Sequence, residues 1–176
     1  MVRVMKFFAY SVFFVMMLIY FMPKISFYYL FEDTLLKSDV VISKEELVEN
    51  GFSLDISNAN VFVKSIDTAK IKSINVKVFA FYNLVTLQDV ILAKTMKSFV
   101  PLHVESINIK YSILNPQLIS INGVGDFGEF EAKYSLSNGV IILRLKPSKL
   151  MLDKYRVTLD SLKKSENGEY IYEKNI

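Results

Sequence analysis

The stretch Gly125-Asp-Phe-Gly-Glu-Phe-Glu-Ala-Lys-Tyr-Ser-Leu-Ser-Asn-Gly-Val-Ile-Ile-Leu-Arg-Leu-Lys-Pro-Ser148 decides the fold. Phe130, Ala132, Tyr134 and Leu136 alternate with Glu131, Lys133 and Ser135. Ile141, Leu143 and Leu145 alternate with Ile142 and Arg144. A period of two is the pattern of a strand with one apolar and one wet face. Ser137-Asn138-Gly139 between the two runs is turn chemistry, and Pro147 closes the second run. The stretch therefore reads as an antiparallel hairpin.

The same period recurs upstream at Phe52, Leu54 and Ile56, at Ile74, Val76, Val78 and Ala80, and at Ile107, Ile109 and Tyr111. Breaks such as Asn115-Pro116 and Gly125-Asp126 separate neighbouring runs. Neighbouring strands joined by short turns form a meander. Residues 43–51 read as a short helix, with Ser43 as N-cap, Glu46 completing a capping box and Gly51 as the stop. Residues 150–164 read as partly helical, and residues 169–173 as a last short strand after Asn167-Gly168.

Residues 7–22 are apolar except for Ser11. With Val4 and Met5, and with Lys6 free to snorkel, the helix reaches about 28 Å, close to the thickness of a bilayer core. Pro23 and Lys24 end or kink it. Its end, Leu-Ile-Tyr-Phe-Met-Pro, lacks the small residues of a signal-peptidase site. An uncleaved anchor is therefore expected, with Phe7, Phe14, Leu18 and Met22 among its membrane-facing residues. Tyr28 and Tyr29 suit the interface that follows. Arg3 and Lys6 lie before the run, which by the positive-inside rule puts that side in the cytoplasm. The rest then lies across the membrane, in a bacterial periplasm. The expected plan is a cytoplasmic N-terminus, anchor and interfacial segment over 1–31, a linker with a short helix over 32–50, and a periplasmic β-rich domain over 51–176. The fold class is mainly β: one transmembrane helix followed by an antiparallel sheet, curved or closed as a sandwich, with one or two short helices.

Composition narrows the chemistry. The 176 residues are 52% hydrophobic, and mean hydropathy is +0.30. There is no Cys, no Trp and a single His. This removes disulfide scaffolds, cysteine nucleophiles and Cys-based zinc sites. Of the 21 basic residues, Arg3, Lys6 and Lys24 precede Glu32, so the part from Glu32 onward carries no net charge. A nucleic-acid binder concentrates basic charge on its folded part, so nucleic acid is rejected as a partner.

Motifs with catalytic associations fail on context. Gly123-Val-Gly125-Asp-Phe-Gly128 spells G-x-G-x-x-G, but a strand follows it where the phosphate-binding mechanism needs a helix N-terminus. Asp126-Phe-Gly128 spells a kinase signature without its companions. His103 lies at a strand start, with no G-x-S-x-G elbow anywhere in the chain. Glu129 and Glu131 fall on the wet face of one strand, where carboxylates are solvated. No His and carboxylate set has metal-ligand spacing. No catalytic residue, cofactor or metal is expected. What remains is the apolar face, represented by Ile107, Ile109, Tyr111, Phe130, Tyr134 and Leu143. It is either the core of a closed sandwich or an open groove for acyl chains or a partner's strand.

From Gly125 to Ser148 the chain follows a G-x-aromatic-x-G start, a strand, a polar turn with Gly, a strand and Pro-Ser. Residues 159–164 and Asn167-Gly-Glu-Tyr170 follow. This resembles the end of type II secretion protein N and of the related AsmA-like envelope proteins. The plan of one inner-membrane helix and a periplasmic antiparallel sheet is similar too. The resemblance covers only the C-terminal part and implies a non-catalytic envelope component, with no catalytic residues to transfer. The expected function is a structural or scaffolding subunit of a trans-envelope machine, a secretion system or a flagellar motor. It would contact the membrane and other envelope proteins through strand or sheet contacts. The alternative is a lipid or lipopolysaccharide binding or transfer module that uses the apolar face of the sheet.

Overall fold

The computed structural model describes residues 2–175. Helix α1 (Val2–Phe21) is long and apolar enough to cross a membrane, and its side chains are mostly exposed. Pro23 has no N–H to continue the helical ladder, so the helix stops there and α2 (Lys24–Leu36) begins as a separate element. The strands are β1 (Val40–Ser43), β2 (Glu46–Asn50), β3 (Ser53–Val63), β4 (Ile66–Val78), β5 (Tyr82–Leu92), β6 (His103–Ser112), β7 (Leu118–Gly125), β8 (Gly128–Ser135), β9 (Val140–Pro147), β10 (Lys163–Lys164) and β11 (Tyr170–Asn175). A 3-10 turn at Lys94–Ser98 separates β5 from β6. Helices α3 (Lys149–Lys154) and α4 (Arg156–Asp160) follow β9.

All eleven strands join one antiparallel sheet in the order β1-β3-β4-β5-β6-β7-β8-β9-β11-β10, with β2 also pairing with β3. The fold is mainly β, as the period of two requires. Of the two architectures the pattern allowed, the structure has the open sheet and no second sheet packed upon it among the described residues.

Residues 43–51 do not form the expected helix. Ser43 ends β1, Lys44 turns the chain with a φ of 65°, and residues 46–50 pair with β3 as β2. A single helical turn or two has little stability of its own. Leu47 instead packs against the main core and Glu49 reaches the start of α2. The segment 32–50, expected as a linker, thus holds the end of α2 and two strands of the sheet.

The register divides the sheet cleanly. Leu54, Val76, Val85, Ile109, Ile121, Ala132, Leu143 and Tyr172 are successive cross-strand partners and so share one face. The next row on the opposite face reads Asp55, Asn75, Thr86, Asn108, Asn122, Glu131, Arg144 and Ile171. There Asn50 and Asn75 both donate to Asp55, and Thr86 donates to Asn108 at 2.9 Å.

One level of the sheet breaks this alternation. The ladder skips Asn58, Lys72, Asp89 and Glu105, which lie side by side in β3 to β6. Asn58 and Asp89 have left-handed backbone, at φ 58° and 51°. Across that level the inward set slips by one residue, from Leu54 and Ile56 to Ala59, and from Ile74 to Ile71. The slip ends as an irregularity between β6 and β7 at Val104/Ser106. Such interruptions bend strands, and four in line bend the sheet along one transverse row.

Candidate functional site

The apolar face is covered unequally. Along the β1–β3 edge, α2 lays Tyr28 and Ile25 onto a cluster of Leu54, Ile56, Ala59, Ala69, Ile71, Val90 and Val104. Burial, and then the negative charges of Glu45 and Glu32, push the Tyr28 phenol far above its usual range. Burial, then Glu45 and Asp33, also raise the Glu32 carboxyl.

At the end of the sheet away from α1, helices α3 and α4 place Met151 and Leu159 over Leu145, with Val100, Phe127, Phe130 and Tyr170 around them. Ser148 sets this cap. Its hydroxyl accepts from the Met151 N–H at 3.1 Å and donates to the Asp126 carbonyl at 2.6 Å. Gly128, at φ 115°, is required here, because a Cβ would strike the Lys146 carbonyl across the hairpin.

Towards α1 the same face has no such cover among the described residues. Val85, Ile109, Ile121 and Leu143 form one row; Asn83, Tyr111, Ile119, Tyr134 and Ile141 form the next. All nine are only half-buried, while the small Ala132 between Ile121 and Leu143 in the first row is 3% exposed. Among them the Asn83 side-chain oxygen is shielded from water and accepts no hydrogen bond. An unpaired acceptor in an apolar setting costs free energy, and a ligand hydroxyl or amide placed there would recover it. The face is thus closed at one end and along one edge, and open towards α1.

All six predicted face residues lie on this face. Ile107 and Phe130 belong to the row nearest the closed end, Ile109 and Leu143 to the next, and Tyr111 and Tyr134 to the row nearest α1. The sequence reading missed Val85, Ile119 and Ile121 as their companions. Of the predicted anchor residues, Phe7 lines a cleft of about 380 Å³ between α1 and the β4–β5 turn, with Phe8, Val12, Met16, Ala80 and Phe81. Phe14 and Leu18 are exposed on α1. Met22 lies past the last helical residue and is half-buried.

The join between α1 and the sheet is built from two charges the sequence reading did not pair. Lys24 is only 3% exposed. Its Nζ donates to the carbonyls of Ile19, Tyr20 and Met22 at 3.2, 3.4 and 2.9 Å, at the negative end of α1. Glu49 on β2 accepts from the Lys24 and Ile25 backbone N–H groups at 3.0 and 3.4 Å, at the positive end of α2. The two side chains meet at 3.6 Å. The Lys24 backbone hydrogen bond chiefly holds the Glu49 carboxyl below its ordinary 4.5. Beside this join, Tyr20 packs edge-on against Phe52, Phe52 stacks on Phe79 and Phe79 on Tyr82. A Cβ at position 51 would run into the Tyr20 ring, which explains the glycine.

The remaining polar candidates sit on the opposite face or rim. His103 lies between Asp89 at 3.7 Å and Asp126 at 3.8 Å, all three well exposed. Lys72 also holds Asp89, at 3.1 Å, and with His103 keeps that carboxyl below its ordinary range. Glu129 and Glu131 face Lys146 and Arg144 across β8 and β9. Asp126-Phe127 is the two-residue turn joining β7 and β8, so the glycine motif is hairpin chemistry. Among the described residues no group of His and carboxylates is arranged to hold a metal. No protein-family model, curated protein or solved structure matches the chain.

Proposed function

We propose that this chain is a single-pass, membrane-anchored lipid-binding module without catalytic activity. In this reading α1 crosses a bacterial inner membrane with Arg3 and Lys6 on the cytoplasmic side, and the sheet stands in the periplasm. The half-open apolar face takes acyl chains of a phospholipid or lipopolysaccharide. One observation carries the reading. The rows of Val85, Ile109, Ile121 and Leu143 and of Tyr111, Ile119, Tyr134 and Ile141 lack a second layer, on the side facing a helix fit to span a bilayer. Soluble domains rarely leave such a patch uncovered without a ligand or partner.

The test is photo-crosslinking. A benzophenone amino acid at Ile121 of the full-length protein should capture lipid in cells, identified by mass spectrometry. Ile109→Asp should abolish that capture while circular dichroism keeps the strand spectrum. Capture of no lipid at Ile121, or unfolding of the variant, would overturn the reading.

The scaffold reading rests on a different feature. Strand β10 covers only Tyr170 and Ile171 of β11, so among the described residues Tyr172 to Asn175 present an unpaired edge. A subunit of a secretion system or flagellar motor could add a strand there. Glu173→Pro should then lose partner proteins in crosslinked pull-downs and leave lipid capture unchanged.

A further inference from the structure

The turns at the α1 end of the sheet share a composition that the turns at the other end lack. The β4–β5 turn is Phe79-Ala80-Phe81, the β6–β7 turn carries Ile113-Leu114 ahead of Asn115-Pro116, and the β8–β9 turn carries Leu136. None of these tips contains a charged residue. Phe81 is 64% exposed and Leu114 is 82% exposed. At the far end the connections carry Lys64, Lys94, Lys97 and Asp126.

Behind the apolar tips lies a row of opposite character. Ser53, Lys77, Leu84, Lys110, Ser120, Lys133, Ile142 and Glu173 are cross-strand partners on the polar face. Its three lysines sit in alternate strands, about 10 Å apart. Each is exposed and three or four residues from its tip, so about 10 to 13 Å behind it. The only acid of the row, Glu173, is on the edge strand.

The depth of the β4–β5 tip follows from α1. Ala80 and Phe81 line a cleft with Val12, Val15 and Met16. Met16 lies five residues inside the end of the helix, about 7 Å along its axis. If α1 spans a bilayer, a phenylalanine lining a cleft whose α1 wall runs from Phe7 to Met16 is below the headgroups.

We infer that the three hairpin tips are a membrane-docking rim. Phe81, Leu114 and Leu136 enter the acyl boundary of the leaflet into which α1 emerges, and Lys77, Lys110 and Lys133 reach its anionic phosphates. Lysine stems long enough to lie along the strands bring their charges down to that level. The open end of the apolar face then meets the bilayer directly. The inference rests on α1 spanning the membrane.

The chain has no Trp, so single tryptophans report position without interference. Full-length Phe14→Trp, Leu114→Trp, Leu136→Trp and Lys97→Trp proteins are reconstituted in phosphatidylcholine–phosphatidylglycerol vesicles containing brominated phosphatidylcholine. Emission at positions 14, 114 and 136 should be strongly quenched, and emission at 97 untouched. Adding Lys110→Glu and Lys133→Glu to the 114 protein should relieve its quenching and leave that at position 14 unchanged. Each basic residue at an anionic surface is worth about fivefold in occupancy. Quenching at 14 without quenching at 114 and 136 overturns the rim and leaves the span standing. No quenching at 14 overturns both. A blue-shifted but unquenched signal at 114 places the tip against protein and overturns the rim. Quenching at 114 that survives both charge reversals removes the lysines from it.

Discussion

The two ends of one apolar face are finished differently. Away from α1, Leu145 lies under Met151 and Leu159, and Ser148 ties that cap to the β7–β8 turn. Towards α1, strands of the same register and composition leave Val85, Ile109 and Ile121 half-covered. The period of two is alike at both ends, so alternation alone does not make a core. A core also needs a second layer, and here a short helical pair supplies it at one end only.

The largest effect that sharpens this contrast is Met151→Ala. Truncating a fully covered side chain should cost about 2 to 5 kcal/mol. Ile119→Ala, on the open half, should cost measurably less, because that side chain keeps part of its surface in water. Urea denaturation of both variants measures the difference. Equal losses would mean the open half is packed as tightly as the closed one.

Next is the α1 join. Lys24→Met leaves three carbonyls at the end of α1 without their donor and should cost about 1 to 3 kcal/mol. The same join sets a pH dependence. Glu49 titrates lower in the folded protein than its ordinary 4.5, so its contribution is present above that value. It is lost as pH falls through the folded value. Glu49→Gln should flatten the acid limb of a stability–pH curve below about 4.5, and an unchanged acid limb would refute this.

Ser148→Ala, which removes the N-cap of α3, should cost about 1 kcal/mol. It should loosen the closed end, read as faster amide exchange at Met151. The smallest effect belongs to the exposed pair Lys72 and Asp89. Lys72→Met should leave the urea midpoint unchanged within error. A measurable loss would mean the bend row depends on that pair.

Much of this was legible in advance, and the failures share a cause. The strands around Phe130 and Leu143 were readable because β8 and β9 alternate without interruption. In β3 to β6 the alternation was legible only on the α1 side of Asn58, Lys72, Asp89 and Glu105. Beyond that row it slips by one residue, and Ala59, Ile71 and Val90 fall out of phase with the runs before them. Residues 43–51 misled because Ser43, Glu46 and Gly51 satisfy a local capping pattern, while the pairing of β2 with β3 is a tertiary matter. The open face was visible as six apolar positions. That it is half-covered was not, since a turn and two short helices decide it. The Lys24–Glu49 pair is separated by a proline break and a whole helix, and no local spacing signals it.

That pair has a mechanical consequence. A membrane helix joined to its domain by a loose loop can turn or tilt without the domain feeling it. Here the ammonium of Lys24 grips the last turn of α1, and the carboxylate of Glu49 grips the first turn of α2 from within β2. The junction acts as a clamp. If α1 crosses a membrane as proposed, a tilt of the helix passes to the sheet as torque rather than being absorbed in slack chain.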